Sequence, residues 1–464
     1  MSSQPVPRLS VCMIAKNEAA VLGRCLDSIK PAADEIIVVD TGSVDDTLHV
    51  AELHGARVIP SEWRDDFSYS RNLSIEEAQC PWILWLDADD IVPAESIPLI
   101  NSLKQENPNK VFGMIVRNQK PNGTGTEFVQ ARMFPNLRSI RFERSIHEQI
   151  MPSALRLGMK MVITEVVIEH HGYADPEDMK IKATRNVTLL LKEVDKNNPD
   201  PVLFVEIADS YAIMGDQENA KVWYEKVVNI PACRTQFPVV ASQAYMGLGN
   251  GANRSEDYAR AIDCFTRAKE LCPERTDVLY CLAVSLELTG EKKRAVQTLQ
   301  RLIAMEPKAV LVGVDFRQAA LKAYLRLLRL LRELGFKDAL GEYCVRALAE
   351  YGHRQEIQNE VGRGFFYLEK PLDALHCFER SLNIVVEQNI DAYIGLCSIY
   401  LKAGKKENAE QAVGNIKKFY GLLPKYWAFV EIYNFLNLVG DIPDQISREE
   451  IEKEKDIIKR EFNL

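Results

Sequence analysis

Residues 81–90, Pro-Trp-Ile-Leu-Trp-Leu-Asp-Ala-Asp-Asp, contain a short apolar run that stops at three carboxylates. The five apolar residues at 82–86 are too few for a transmembrane helix and are typical of a strand buried on both faces of a parallel sheet. Ligands of open α/β sheets bind beyond the carboxyl ends of the strands, so Asp87, Asp89 and Asp90 are expected at a cleft. Because Mg²⁺ and Mn²⁺ prefer oxygen ligands and often bind with substrate phosphates, the motif favours a metal–diphosphate site. A strand end that is merely rich in turn-forming aspartates is the alternative.

The residues around this run predict alternating strands and helices. Strands are expected at 9–15, 35–39, 56–59 and 82–86, with helical segments between them at 19–29, 47–53 and 69–78. Four alternations indicate a doubly wound, mostly parallel sheet with right-handed crossovers. Asp40 and Asp87 each follow a strand, so both are expected at one edge of that sheet. The first strand–helix turn lacks a glycine-rich phosphate cradle and no Gly-Lys-Ser/Thr loop occurs, which argues against a dinucleotide-binding fold and a P-loop NTPase.

The composition is that of a globular protein. The chain has 464 residues, of which 47% are hydrophobic and 27% charged, and this length is enough for about three domains. A formal net charge of −9 argues against a general nucleic-acid or membrane-surface binder. The ten cysteines lack metal-ligand spacing, and no apolar run is long enough for a transmembrane segment. We expect reduced thiols, no signal peptide, no nucleic-acid partner and a cytoplasmic location.

Several linked motifs resemble the family-2 glycosyltransferases. They are Leu-Ser-Val-Cys-Met-Ile-Ala-Lys-Asn-Glu at 9–18, Ile-Ile-Val-Val-Asp-Thr-Gly-Ser-Val-Asp-Asp-Thr at 36–47, Arg-Asn at 71–72 and the acidic motif at 85–90. Their order and spacing are similar to those of the family over residues 1–175. The resemblance implies a Rossmann-like GT-A fold and an inverting, hexosyltransferase-type enzyme. Such an enzyme uses a nucleotide-sugar, usually UDP-linked, together with Mg²⁺ or Mn²⁺.

The resemblance also implies roles for individual residues. Asp40 would contact the uracil or ribose, and Asp87 and Asp89 would form the Asp-x-Asp pair, with Asp89 as the direct metal ligand. The implied nucleotide-sugar-binding residues are Ala15, Lys16, Asn17, Glu18, Asp40, Gly42, Ser43, Arg71, Asp87 and Ala88. The implied metal ligands are Asp87, Asp89 and His171, the last of which matches a late histidine of several GT-A enzymes. Asp90 is either a structural acid or a further ligand contact.

The acceptor side is expected after the acidic motif. Strands are predicted at 111–117, 128–134 and 162–169, and the Gly-rich turn at 121–125 is interpreted as a hairpin or a mobile lid. His-Glu at 147–148 and His-Gly-Tyr at 171–173 resemble segments of a group of these transferases that carries repeats.

An inverting transfer needs a base that takes the acceptor proton, and a carboxylate or an imidazole is the usual solution. We assign this role to Glu148, with His147 as the competing choice. Arg132 and Arg141 are interpreted either as phosphate ligands or as solvated surface charges.

The second half predicts helical repeats. Small residues recur, several of them 34 or 35 residues apart, and a bulky residue follows most of them by four: Ala220, Ala261, Ala295, Ala339, Ala374 and Ala409. This period is typical of tetratricopeptide repeats, whose helical hairpins stack into an all-α solenoid with a concave surface. Wider spacings imply insertions at 249–257 and 308–315. The predicted domains are a transferase at 1–175, a connecting helix and linker at 176–201, repeats at 202–424 and capping helices at 425–464.

Together these features predict a metal-dependent inverting glycosyltransferase whose repeats hold a peptide or protein acceptor. The arrangement looks similar to bacterial enzymes that glycosylate a ribosomally made peptide. A lipid or saccharide acceptor is one alternative, and a non-catalytic repeat-based adaptor with a decayed transferase domain is another. Repeats can also merely scaffold or dimerise the catalytic domain. The charged tail at 448–460 is expected to cap the solenoid or to form a homodimer contact.

Overall fold

A sheet-containing region followed by a long series of helices makes up the chain, as seen in a computed structural model. The structure describes residues 8–119, 125–172, 176–195, 198–306, 315–384, 389–439, 442–443 and 445–462. The predicted turn at 121–125, linker at 197–201 and insertion at 308–315 lie wholly or partly outside these residues. Contacts divide the chain into two compact units, residues 1–289 with 305–319 and residues 290–304 with 320–464. The domain boundaries at 175, 201 and 424 stay predictions.

The sheet is mixed and contains eight strands in the described residues. They are β1 (Leu9–Ala15), β2 (Glu35–Asp40), β3 (Arg57–Pro60), β4 (Trp82–Asp87), β5 (Asp90–Ile91), β6 (Val111–Gln119), β7 (Gly125–Pro135) and β8 (Met161–His170). Their order across the sheet is β3-β2-β1-β4-β7-β6-β8-β5. The pairs β1–β2, β1–β4, β2–β3 and β6–β8 are parallel, whereas β7 runs antiparallel to β4 and β6, and β5 runs antiparallel to β8. The doubly wound, mostly parallel sheet is thus confirmed.

The five apolar residues of β4 are all buried, because both faces of the sheet are covered. Trp82, Leu84 and Leu86 belong to one apolar cluster. Ile83 and Trp85 belong to a second cluster on the opposite face. Each such side chain contributes about 1.5–3 kcal/mol when it leaves water. The helices that accompany the sheet are α1 (Ala19–Ile29), α2 (Thr47–Leu53), α3 (Phe67–Glu76), α4 (Ser96–Leu103) and α5 (Met151–Arg156).

Strand register brings the predicted acids to one edge. Ala15, the last residue of β1, lies opposite Asp40 of β2. On the other side of β1, Ile14 lies opposite Asp87 of β4. Asp40 and Asp87 therefore flank the end of the same strand, as the sequence predicts.

All remaining described elements are helices. They are α6 (Pro176–Lys192), α7 (Pro201–Met214), α8 (Gln217–Val228), α9 (Cys233–Gln236), α10 (Pro238–Arg254), α11 (Tyr258–Leu271), α12 (Thr276–Leu288), α13 (Lys292–Ile303), α14 (Phe316–Glu333), α15 (Lys337–Tyr351), α16 (Gln355–Tyr367), α17 (Pro371–Ile384), α18 (Ile390–Lys402), α19 (Lys406–Tyr420), α20 (Pro424–Ile432), α21 (Leu436–Val439) and α22 (Arg448–Phe462). Among these described helices, none is long and apolar enough to cross a membrane. All ten cysteines lie in described residues and are free of disulfides, and all but Cys281 are buried.

The repeat helices bury residues at a common spacing of i, i+4 and i+7. In α8 these are Ala220, Tyr224 and Val227, and α11, α13, α17 and α19 bury the equivalent positions. In α15 the buried set begins at Leu340, while Ala339 is only half-buried. The predicted alignment on Ala339 is therefore wrong by one residue, because a small residue was assumed where the helix places a leucine.

Candidate active site

Hydrogen bonds join the loops that follow β1 and β2. The buried carboxylate of Asp40 accepts the backbone N–H groups of Gly42 and Ser43, each at 3.1 Å. The Ser43 hydroxyl donates to Asp40 and accepts the N–H of Asn17 at 2.9 Å. The side-chain oxygen of Asn17 accepts the N–H of Val44 at 2.8 Å. The two predicted nucleotide-binding loops are thus joined by hydrogen bonds. Both carboxylate oxygens of Asp40 accept hydrogen bonds from Gly42 and Ser43 in the turn that follows it.

Two buried arginines stack on Trp85 at the end of β4. The guanidinium carbon of Arg132, in β7, lies 3.8 Å from the indole centroid, and that of Arg71, in α3, lies 4.2 Å away. Both side chains are almost completely buried. A buried cation needs anionic partners, since isolating it from water costs several kcal/mol. Arg132 is therefore not the surface charge that was one of its two sequence-based interpretations.

Asp87 supplies an anion to both arginines. Arg71 donates from Nη2 to Oδ1 of Asp87 at 2.7 Å and from Nε to Glu148. Arg132 donates from Nη2 to Oδ2 of Asp87 at 3.4 Å. Burial raises the pKa of the Asp87 carboxyl, but the two arginines outweigh it and hold that pKa well below its usual range. Asp87 is therefore fully ionised at neutral pH.

Asp90 is the most buried acid of the acidic motif. It is fully buried, accepts the N–H of Asp87 at 2.8 Å and pairs with Nη1 of Arg132 at 2.9 Å. Its second oxygen lies 2.9 Å from Nδ1 of His170, the last residue of β8. Burial lowers the pKa of His170, whereas the Asp90 hydrogen bond and the neighbouring carboxylates raise it and prevail. Asp90 thereby fixes both the turn after β4 and the orientation of His170.

Asp89 is more accessible than Asp90, with 24% of its side chain exposed. Burial and the like charges of Asp87 and Asp90 raise the pKa of Asp89 against the opposing effect of His170. Gly172 packs against the side chains of His170 and Asp89. A Cβ at this position would lie 2.8 Å from Nε2 of His170 and 3.3 Å from Oδ2 of Asp89. The raised pKa reflects burial first and then repulsion by the two neighbouring carboxylates, which a bound cation would relieve.

The structure brings the side chain of His170 to the carboxylates of the acidic motif, whereas His171 meets the motif through its backbone N–H, which donates to the carbonyl of Asp89 at 3.2 Å. Ligand atoms of Asp87, Asp90 and His170 lie within 4.8 Å of one another. His171 instead directs Nε2 towards Glu169 at 3.5 Å. Carboxylate oxygens with one imidazole suit Mg²⁺ or Mn²⁺. Arginines already bind both oxygens of Asp87, whereas the ion pair that Asp89 makes within the described residues is with His170. The ligand set of Asp87, Asp89 and His171 stays a prediction, and Tyr173 lies outside the described residues.

A cavity of about 300 Å³ connects Asp87 to the predicted base. Its wall includes Arg71 and Asp87 on the sheet side and His147 and Glu148 on the loop between β7 and α5. Glu206 of α7 also lines it, together with residues of α6. The cavity is therefore shared between the sheet and the helices α6 and α7, within the first compact unit.

The sheet and its acidic edge are typical of sugar-transferring enzymes, and comparisons with known proteins agree with this class. The family model for glycosyl transferase family 2 matches residues 10–167. A tetratricopeptide repeat model matches residues 203–232, which cover α7 and α8. The chain belongs to the family-2 glycosyltransferases that carry tetratricopeptide repeats.

Individual relatives and solved structures match part of the chain. The TPR repeat-containing protein Synpcc7942_0270 of Synechococcus elongatus is 30% identical over 289 residues, covering 61% of this chain and 70% of that protein. The SPbeta prophage-derived glycosyltransferase SunS of Bacillus subtilis is 27% identical over 229 residues, 48% of this chain and 54% of SunS. The chain thus spans about half the length of SunS. The crystal structure of YrrB, a TPR protein with an unusual peptide-binding site, gives a TM-score of 0.36 at 20% identity over 47% of this chain and 99% of YrrB.

Proposed function

We propose that the chain is a metal-dependent inverting glycosyltransferase of the cytoplasm that moves a sugar from a UDP-linked donor to a peptide or protein. The observation that carries this proposal is the cavity whose wall includes both Asp87, paired with two buried arginines, and Glu148. Asp87 is placed to face a diphosphate and its cation, and Glu148 is the carboxylate offered to the acceptor.

The donor would lie along the edge formed by the loops after β1 and β2. The uridine end belongs near Asp40 and Asn17, and the diphosphate near Asp87 and Asp89. Asp89 with His170 or His171 would hold Mg²⁺ or Mn²⁺, which neutralises negative charge on the leaving diphosphate. Arg71 and Arg132 keep Asp87 ionised and fixed beside that group.

The transfer step exchanges one bond at the anomeric carbon. The acceptor hydroxyl or thiol gives its proton to Glu148 while its oxygen or sulfur bonds to that carbon. The bond from the carbon to the phosphate oxygen breaks, and UDP leaves with the electron pair. Attack from the face opposite UDP inverts the configuration. Arg71, which binds both Glu148 and Asp87, holds the base and the donor site at a fixed separation.

The acceptor is proposed to be a polypeptide because the cavity opens onto repeat helices. Arg185 of α6 and Glu206 of α7 line it beside Glu148. Helical hairpins of this kind present extended surfaces to peptide segments. A chain passing over α6 and α7 would therefore lead a serine, threonine or cysteine side chain to the base.

The test measures UDP release from UDP-glucose and UDP-N-acetylglucosamine in Mn²⁺ or in EDTA. Mass spectrometry of a peptide set containing serine, threonine and cysteine measures transfer. We expect Mn²⁺-dependent UDP release and sugar addition to some peptides. We expect Asp89→Ala to abolish the Mn²⁺-dependent release. Glu148→Gln should bind UDP normally but turn over about a hundredfold more slowly. No UDP release and no UDP binding would favour the adaptor, and transfer to saccharides or lipids alone would replace the peptide acceptor.

A further inference from the structure

The loop that carries Glu148 contains two non-glycine residues at positive φ. Arg144 has a φ of 81° and His147 a φ of 51°. Non-glycine residues rarely adopt this region, at a cost of about 1–3 kcal/mol each unless surrounding contacts impose it. Mutual backbone hydrogen bonds of 3.0 Å between Glu143 and Gln149 close the loop at its base. Contacts from outside the loop add to this pair.

Helix α3 supplies contacts on one side of this loop. The N–H of Phe67 donates to the carbonyl of Ser145 at 2.7 Å. The Ser68 hydroxyl donates to the carbonyl of Arg144. These bonds fix two loop carbonyls, while Arg71 of the same helix holds the Glu148 carboxylate.

The repeat side supplies the other contacts, through three acids. Arg144 pairs with Asp200, which caps the first turn of α7, and with Glu206 in that helix at 3.2 Å. The N–H of Ser145 donates to the carboxylate of Glu193, just beyond α6, at 2.6 Å. Arg144 is 19% exposed and Glu206 16%, so their pair is shielded from water, whereas Asp200 is 39% exposed. Shielded ion pairs with good geometry hold a backbone far more firmly than surface pairs do.

We propose that Arg144 is a positioning residue that makes the placement of Glu148 depend on the first repeat helix. Asp200 and Glu206 hold the guanidinium, the guanidinium holds the left-handed turn, and the turn aims Glu148 into the cavity. Glu206 lines that same cavity. A peptide bound on α7 would therefore contact a residue that pairs with Arg144 and so affects the position of Glu148. The inference rests on the proposed function only in taking Glu148 as the group that acts at the acceptor.

The experiment compares Arg144→Ala and Arg144→Lys with Arg156→Ala in the full chain. Arg156 pairs with Glu143 at the base of the same loop but is 63% exposed, so it is a matched control. The readouts are kcat and KM for UDP release from whichever UDP-sugar the wild type uses fastest, with Mn²⁺ and with water as acceptor. Calorimetry with UDP and Mn²⁺ gives donor-site affinity separately.

Arg144→Ala should lower kcat about tenfold to a hundredfold, because a small displacement of a catalytic group is costly. UDP affinity and KM should stay within about threefold, because Asp87 and Asp89 lie outside the loop. Arg144→Lys should recover part of the loss, since an ammonium can replace one of the two ion pairs. Arg156→Ala should behave as the wild type.

An Arg144→Ala enzyme with wild-type kcat would overturn the inference, as would a loss of kcat matched by an equal loss of UDP affinity. Should Arg144→Ala fail to fold, Asp200→Asn removes the charge that pairs with Arg144 without changing the shape of the side chain, and an unchanged kcat there would count against the inference equally. A wild type that releases UDP from no UDP-sugar would refute the proposed function itself, and the inference with it.

Discussion

Asp89 and Asp90 are adjacent in the sequence, but Asp90 is fully buried and Asp89 is partly exposed. Substituting each of them should therefore change the stability of the fold by different amounts. Removing Asp90 leaves Arg132 and His170 without their shared buried partner, and breaking a buried ion pair costs about 3–5 kcal/mol. We expect Asp90→Ala to lower the thermal unfolding midpoint clearly. Asp89→Ala, the control, should leave it nearly unchanged because it removes a repelled charge. Equal midpoints for the two variants would contradict the assignment of Asp90 as the structural acid.

Glu206 should make stability depend on pH. Burial is the main cause that raises its pKa, from 4.5 to about 8, and Asp200, Glu193 and Asp209 act in the same direction against Arg144. Between about pH 5 and 8 the folded chain keeps a proton that the unfolded chain has released, so raising the pH across this range removes stability. Glu206→Gln lacks this ionisation, and its unfolding midpoint should fall less over the same range. The control is Glu218→Gln, at an exposed position of α8, which should follow the wild type.

The sequence identified the acids of the site better than their partners. Asp87 and Asp89 are recognisable because they end a strand whose apolar character is local and unambiguous. Arg132 was left between two interpretations because its burial depends on β7 packing beside β4, a pairing of distant segments. His170 could have been found, since it continues the alternation of buried Val166 and Ile168 on β8. His171 was preferred because of the resemblance and not because of the strand period.

At the scale of elements, the close packing of α17 and α18 depends on Gly395. A Cβ at this position would lie 2.3 Å from the ring of Phe378, which is fully buried. We expect Gly395→Ala to lower the unfolding midpoint, because overpacking costs about 1–3 kcal/mol and outweighs the gain in helix propensity.

The control for that variant is Gly414→Ala in α19, where nothing lies within 4 Å of the added Cβ. It should raise stability by up to about 1 kcal/mol, since alanine favours a helix more than glycine does. Circular dichroism melting curves measure both variants. A stabilised Gly395→Ala would mean that Phe378 is able to move away from the helix.

Strands and helices were predictable where a period of two or 3.6 extends over a whole element. Helix α1 and strand β1 occur at the predicted residues. The shift from Ala339 to Leu340 shows the limit of this approach, because residue size alone does not fix which face of α15 is inward. The antiparallel insertion of β7 beside β4 is a long-range pairing that no local pattern specifies.

At the scale of the molecule, the first compact unit includes the sheet and the helices up to α12. A fragment of residues 1–289 retains the three acids that bind the loop at Arg144 and Ser145, whereas a fragment of residues 1–175 lacks them. We expect the longer fragment to release UDP with Mn²⁺ and the shorter one to lose most of this activity. UDP binding, measured by calorimetry, verifies that each fragment is folded. A shorter fragment that turns over as fast as the longer one would contradict the prediction.

The ion pairs of Arg144 also restrict how this architecture can be recombined. A chimera that exchanges repeat arrays between related enzymes, to redirect them to another target, would naturally be joined at the linker near residue 200. Such a junction would separate the guanidinium from both of its carboxylates. Grafting after the first hairpin, beyond residue 232, would keep them together. The first hairpin therefore has to be kept with the catalytic domain, and the later hairpins are the ones that can be exchanged.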